Sequence, residues 1–142
     1  MDKRNYKAMN EELNQPSCLG AVISCFRYST RFVILFKNIV VKIPLNKKGF
    51  LQGYNEQKIW NKYQNKAPLA NLNWMFLGIV CQKRYTTIKE VPQSEVHKIK
   101  KLIPEFDFEN CDFWNYENWG KDGQKYILLD YGNSPYVASL YK

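Results

Sequence analysis

Asn118-Trp-Gly-Lys-Asp-Gly-Gln-Lys-Tyr-Ile-Leu-Leu-Asp130-Tyr-Gly132 is the stretch from which the rest of the chain can be read. The Asp122-Gly123 pair separates two short runs, and the second, Tyr126 to Leu129, is strongly apolar. A tight reversal needs a residue that accepts positive φ, and Gly does so at little steric cost, so the pattern predicts a β-hairpin. Folding back there brings Asn118, before the first run, toward Asp130, after the second. Oxygen ligands held at one end of a hairpin can share a hard cation such as Mg2+. An ordinary surface hairpin with a polar residue at each end fits the same letters.

Asn118 followed by Asp130-Tyr131-Gly132 resembles the metal-binding end of the protein-kinase-like superfamily. There an Asn closes the catalytic loop, and Asp-Phe-Gly or Asp-Tyr-Gly follows a hairpin. The wording Asn-Trp-Gly and Leu-Leu-Asp-Tyr-Gly is most similar to the small-molecule and the bacterial or phage members. The resemblance implies an α+β fold: a kinase-like N-lobe, with an antiparallel five-stranded sheet and one packed helix, then a truncated C-lobe with a short helix and a metal-loop-like hairpin. It also implies ATP and Mg2+ as cofactors, with Asn118 and Asp130 as metal ligands.

A chain of 142 residues is expected to form one domain with a real hydrophobic core. Residues 1–16 read as a polar arm, 17–85 as the N-lobe-like part and 86–142 as the C-lobe-like part. The apolar runs Phe32–Phe36 and Met75–Cys81 are too short to cross a bilayer, and the N-terminus lacks a signal-peptide pattern, so a cytoplasmic protein with no membrane partner is expected. Cys18, Cys25, Cys81 and Cys111 fall at unpatterned intervals, and the single His97 has no ligand partner at helical spacing. Buried reduced thiols are the expectation, not a zinc site. The formal charge of +8 suits acidic partners: nucleic acid, nucleotide phosphates or an acidic protein.

Leu19–Phe26, Thr30–Phe36 and Ile39–Ile43 read as three antiparallel strands, with a tight reversal at Lys37-Asn38 and a stop at Pro44. Both faces of the last two are apolar, so cover is expected on each side. Asn46-Lys-Lys-Gly49 reads as a loop and 50–64 as a helix. Leu72–Leu77 and Ile79–Tyr85 read as two further strands joined near Gly78, Thr86–Pro92 as a connector, and Ser94–Leu102 as a helix capped near Gln93 or Ser94 and closed by Pro104.

Lys42 interrupts an apolar strand, and a lysine there can simply reach along the strand edge to water. Val40-Val-Lys42 is also similar to the kinase Val-Ala-Ile-Lys, whose Lys holds nucleotide phosphates. On the following helix Glu56, Ile59, Trp60 and Tyr63 recur at three- and four-residue spacing, which puts a carboxylate on the inward stripe. Buried carboxylates need a partner, and Glu56 has no cation at i±4. The resemblance supplies one, since the helix Glu of the family pairs with the strand Lys, so a Lys42–Glu56 pair at a nucleotide site is expected.

The chain departs from the family in three places. The catalytic base should stand five residues before the Asn. That position is Phe113, with Asp112 one place off and Cys111 where the family has His. One residue of extended chain is about 3.3 Å, more than a base needing contact at about 2.6–3.2 Å tolerates. A bulge would be required to make Asp112 the base, or Asp107 would have to fold in. Leu19-Gly20-Ala21 offers one glycine where several normally let backbone N–H groups reach phosphates. Ten residues follow Gly132, too few for a protein-substrate lobe.

The sequence therefore points to a pseudokinase-like interaction or regulatory protein with a protein partner and without protein-kinase activity. A Lys-, Asn- and Tyr-heavy composition would suit a phage or mobile-element protein, such as an inhibitor of a host or defence factor. One alternative is a small-molecule or nucleotide phosphotransferase using ATP and Mg2+. A second is a basic nucleic-acid-binding domain, which rests on charge and aromatic content alone.

Overall fold

Two hairpins organise the chain, and each turn contains a glycine with positive φ. The computed structural model describes residues 22–104 and 113–132. Cys18, Leu19-Gly20-Ala21, the arm 1–16, Asp107, Cys111 and Asp112 lie outside the described residues. Strands β1 (Val22–Arg27), β2 (Arg31–Phe36) and β3 (Ile39–Pro44) form the expected meander, reversing at Lys37-Asn38. Helix α1 (Lys47–Tyr63) follows, then β4 (Leu72–Phe76) and β5 (Ile79–Lys83). These five strands make one antiparallel sheet in the order β1-β2-β3-β5-β4, with α1 packed against β3, β4 and β5. This is the α+β arrangement expected of a kinase-like N-lobe. The β4–β5 turn is Leu77-Gly78, both with positive φ, as a type I′ reversal requires.

A second, smaller sheet joins β6 (Thr86–Thr87), β7 (Trp119–Asp122) and β8 (Lys125–Leu128), in that order. Helix α2 (Gln93–Leu102) lies between β6 and β7 in sequence. The β7–β8 hairpin is the one anticipated, shifted by one residue: Asp122 pairs with Lys125, so the turn is Gly123-Gln124. Gly123 alone has positive φ, the pattern of a type II′ turn. Leu69 runs alongside Leu128, with Ala70 donating to the Leu128 carbonyl at 2.8 Å, so the segment after α1 stitches the small sheet to the larger part.

Four local expectations are corrected. Residues 46–49 are not a loop: α1 begins at Lys47, and the Asn46 side chain accepts the Gly49 N–H at 3.0 Å. Gly49 disfavours helix by propensity, but a Cβ there would lie 2.0 Å from the Thr30 carbonyl, so close helix–sheet approach overrides the local preference. Thr86–Thr87 are a short strand paired with β7 and not a connector. Helix α2 is preceded by Pro92, with no side-chain cap from Gln93 or Ser94. Among the described residues, the cover expected on β2 and β3 is incomplete. In each, one residue is buried, and it is the cation: Arg31 in β2 and Lys42 in β3.

The apolar core lies elsewhere, where the C-terminal half of α1 meets α2 and the small sheet. It contains Ile59, Tyr63, Leu69, Ala70, Val96, Ile99, Ile103, Phe113, Trp119, Ile127, Leu128 and Tyr131. Val96, Ile99 and Ile103 are the helical stripe legible in the sequence, and all are buried. Cys25 and Cys81 are free buried thiols, as expected. Among the described residues no helix is long and apolar enough to cross a membrane.

Candidate functional site: a four-charge cluster under the main sheet

Glu56 is fully buried, on the α1 stripe with Gln52, Ile59 and Tyr63. A carboxylate in that position must be satisfied by cations, since an unpaired buried charge costs several kcal/mol. Two supply this. Lys42 Nζ stands 3.2 Å from both Glu56 oxygens and donates to the Leu129 carbonyl at 2.9 Å. The lysine does not reach along the strand to water; it is 5% exposed. The Lys42–Glu56 pair that the resemblance implies is therefore present.

The second cation is Arg31, which the sequence reading passed over. Its Nη1 donates to Glu56 Oε1 and its Nη2 to Asp130 Oδ1, the latter at 2.9 Å. Arg31 is 5% exposed, and its fork bridges the helix to the loop after β8. A weak signal existed, because Arg31 opens an apolar strand much as Lys42 interrupts one. Nothing in the letters says which carboxylates it would meet, 25 and 99 residues away.

The electrostatics follow from the ring of contacts. Burial pushes the Asp130 carboxyl up, but Arg31, Lys42 and a hydrogen bond from the Gly132 backbone outweigh it and hold the group at about 2. Burial would likewise lower Arg31, yet Glu56 and Asp130 raise it above its ordinary value. For Lys42 burial wins: desolvation, helped by repulsion from Arg31, pulls its pKa down against the attraction of Glu56. The cluster thus holds two cations and two carboxylates, and its formal charges cancel.

The loop that carries Asp130 is clamped to α1. Asn55 Nδ2 donates to the Gly132 carbonyl at 3.0 Å. A Cβ on Gly132 would lie 2.6 Å from the Gln52 carbonyl and 3.0 Å from Glu56 Oε1, so glycine is what permits this approach. Tyr131 is buried in the apolar core, with its hydroxyl donating to the Ala70 carbonyl at 2.8 Å. Burial pushes that phenol well above its ordinary value, so it stays a neutral donor. Gln82, opposite Val40 in the sheet, donates Nε2 to the same Leu129 carbonyl at 3.2 Å, while its buried Oε1 has no hydrogen-bond partner among the described residues.

Asn118 ends a 3-10 turn (Tyr116–Asn118), and its carbonyl accepts the Leu129 N–H at 2.8 Å. The hairpin therefore brings Asn118 across from the residue preceding Asp130. Phe113, at the counted position of the base, is a core residue whose carbonyl accepts Trp119 Nε1 at 2.8 Å.

The donor set as arranged does not fit a hard divalent cation. Such an ion takes oxygen ligands at about 2 Å and draws on carboxylates not already neutralised. Asp130 Oδ1 already accepts a guanidinium. An ion on that oxygen would sit roughly 4 Å from Arg31, where like charges repel by about 4 kcal/mol per unit charge at near-surface screening.

A scan of protein-family models finds none that matches the chain, and a search of curated proteins finds no match. Among solved structures the chain is similar to that of the streptomycin-ATP-APH(2")-IIa ternary complex, at 15% identity and a TM-score of 0.38. The similarity covers 69% of this chain and 33% of that one, so this chain spans about a third of its neighbour's length.

Proposed function

We propose that the chain is an interaction protein on a kinase-like scaffold, and that its partner is a protein with an acidic surface. The observation that carries this reading is an aromatic and basic surface at the open edge of the main sheet. Among the described residues, strand β4 has a neighbour on one side only. It and its turn expose Trp74, Phe76 and Leu77, with Phe76 65% exposed. Beside it, Gly78 packs on Phe50, which lies 4.9 Å ring to ring from Tyr54 on the outer stripe of α1. Lys47 and Lys58 continue that stripe at helical spacing, and both are exposed. An open edge strand with clustered large apolar residues is a pairing surface, and monomeric proteins normally blunt such edges. The flanking lysines favour an acidic counterpart. If the chain is phage-encoded, inhibition of a host or defence factor is the form this takes.

The test is co-purification from the native host, followed by titration of the identified partner against wild type and Trp74→Ser/Phe76→Ser. Both residues are exposed, so stability should stay within about 0.5 kcal/mol. The partner's affinity should fall at least tenfold, and more steeply with added salt than for an apolar contact alone. A concentration-dependent dimer lost in Phe76→Lys would assign the edge to a second copy and overturn the reading. An unchanged affinity in the double variant would do so too.

The second reading, an ATP-dependent phosphotransferase for a small molecule or nucleotide with Asp112 or Asp107 as base, is favoured by the Lys42–Glu56 contact. It requires a rise in melting temperature with ATP and Mg2+ that disappears in Lys42→Ala and Asp130→Asn. Nucleic-acid binding rests on net charge, and would show as DNA affinity falling steeply with salt.

A further inference from the structure

We infer that Arg31 is a built-in counter-ion occupying the place of a divalent cation at Asp130, so that the native chain does not take up Mg2+ or Mn2+ there. The inference rests on the geometry of the cluster and holds whatever partner the β4 edge has. Both arms of the guanidinium are engaged, one on Glu56 and one on Asp130. A planar fork of this kind holds two carboxylates in a fixed geometry, whereas an ammonium has no such preset directions.

The surrounding backbone is shaped to keep it there. Gly49 lets α1 approach Thr30 and Arg31, since a Cβ at that position would meet the Thr30 carbonyl at 2.0 Å and Arg31 Cγ at 3.1 Å. Gly132 does the same from the other side, pressing the Asp130 loop onto Gln52 and Glu56. Thr30 Oγ1 donates to Gln52 Oε1 at 2.9 Å, tying the turn before Arg31 to the same helix. The β1–β2 turn, the helix and the loop thus close on the guanidinium from three directions. Charge balance completes the case. Arg31 and Lys42 already match Glu56 and Asp130, whereas a metal site draws its affinity from carboxylates in excess of local cations.

The experiment titrates the full chain with MnCl2 alone and counts free Mn2+ by its paramagnetic resonance signal. Wild type and Asp130→Asn are expected to give the same curve, with no saturable binding below millimolar Mn2+. Arg31→Gln, shown folded by its melting transition, is expected to bind at least tenfold more tightly, and Arg31→Gln/Asp130→Asn to lose that gain. Should Arg31→Gln fail to fold, Arg31→Met fills much of the same space without a charge, and the same gain is expected. Saturable Mn2+ binding by wild type that disappears in Asp130→Asn overturns the inference. So does a folded Arg31 variant that gains no site.

Discussion

The molecule has two centres of burial, and they are made of opposite materials. Where α1, α2 and the small sheet meet, the buried residues are Ile, Leu, Val, Tyr and Trp. Under the main sheet the buried residues of β2 and β3 are an arginine and a lysine, closed over a glutamate. An apolar core gains free energy from every methylene removed from water and is indifferent to which neighbour covers it. A charged cluster gains little net from burial, yet fails badly when one member is lost, because the remaining charges are left unpaired. The first supplies stability. The second dictates how the five-stranded sheet sits on the helix and where the Asp130 loop ends.

The largest effect is expected from Glu56→Ala. It leaves Arg31 and Lys42 facing each other without their shared carboxylate, and should cost about 3–5 kcal/mol. Hydrogen exchange measured on the same variant sharpens the contrast. Protection should fall through β2, β3 and β5 while persisting in α2 and β8. Uniform loss across both would show that the two centres unfold as one.

Ile99→Ala is the matching probe of the apolar side. Ile99 is fully buried, so the truncation should cost about 3 kcal/mol, within the usual range for a cavity of that size. Here α2 and the small sheet should lose protection first. Chemical denaturation would show both variants side by side.

The smallest effect is that of pH on the Arg31–Asp130 contact. Asp130 is held at about 2 against 3.8 for the free group. Between those values the unfolded chain binds the proton and the folded chain does not, so stability rises with pH across that window. The contribution is complete above about pH 4 and disappears as pH falls toward 2. The Asp130 side chain is 37% exposed, so solvent screening reduces the effect to on the order of 1 kcal/mol. Urea melts at pH 5 and pH 2.5 should show this difference in wild type and lose it in Asp130→Asn. An equal acid sensitivity in both would place the titrating group elsewhere.

Much of the architecture was legible because it is written locally. The strand meander, the Gly78 and Gly123 turns, and the stripe of Val96, Ile99 and Ile103 follow from period and turn chemistry. That Glu56 needs a partner could be read from its place on an apolar stripe, but it was the kinase-like resemblance that named Lys42. The helix start at Lys47 and the strand at Thr86–Thr87 could not, because backbone contacts with Thr30 and β7 outweigh weak local preferences.

Arg31 marks the boundary between the two kinds of knowledge. Its letter sits at the head of an apolar strand and carries no sign of its destination. Charge pairing across 25 and 99 residues has no period and no motif. By itself the sequence determined the elements, their turns and the need for Glu56 to be neutralised. Only the tertiary structure decided that two cations share that carboxylate, and that the second reaches on to Asp130. Coulombic partners are chosen by proximity in three dimensions, after α1 has packed against the sheet.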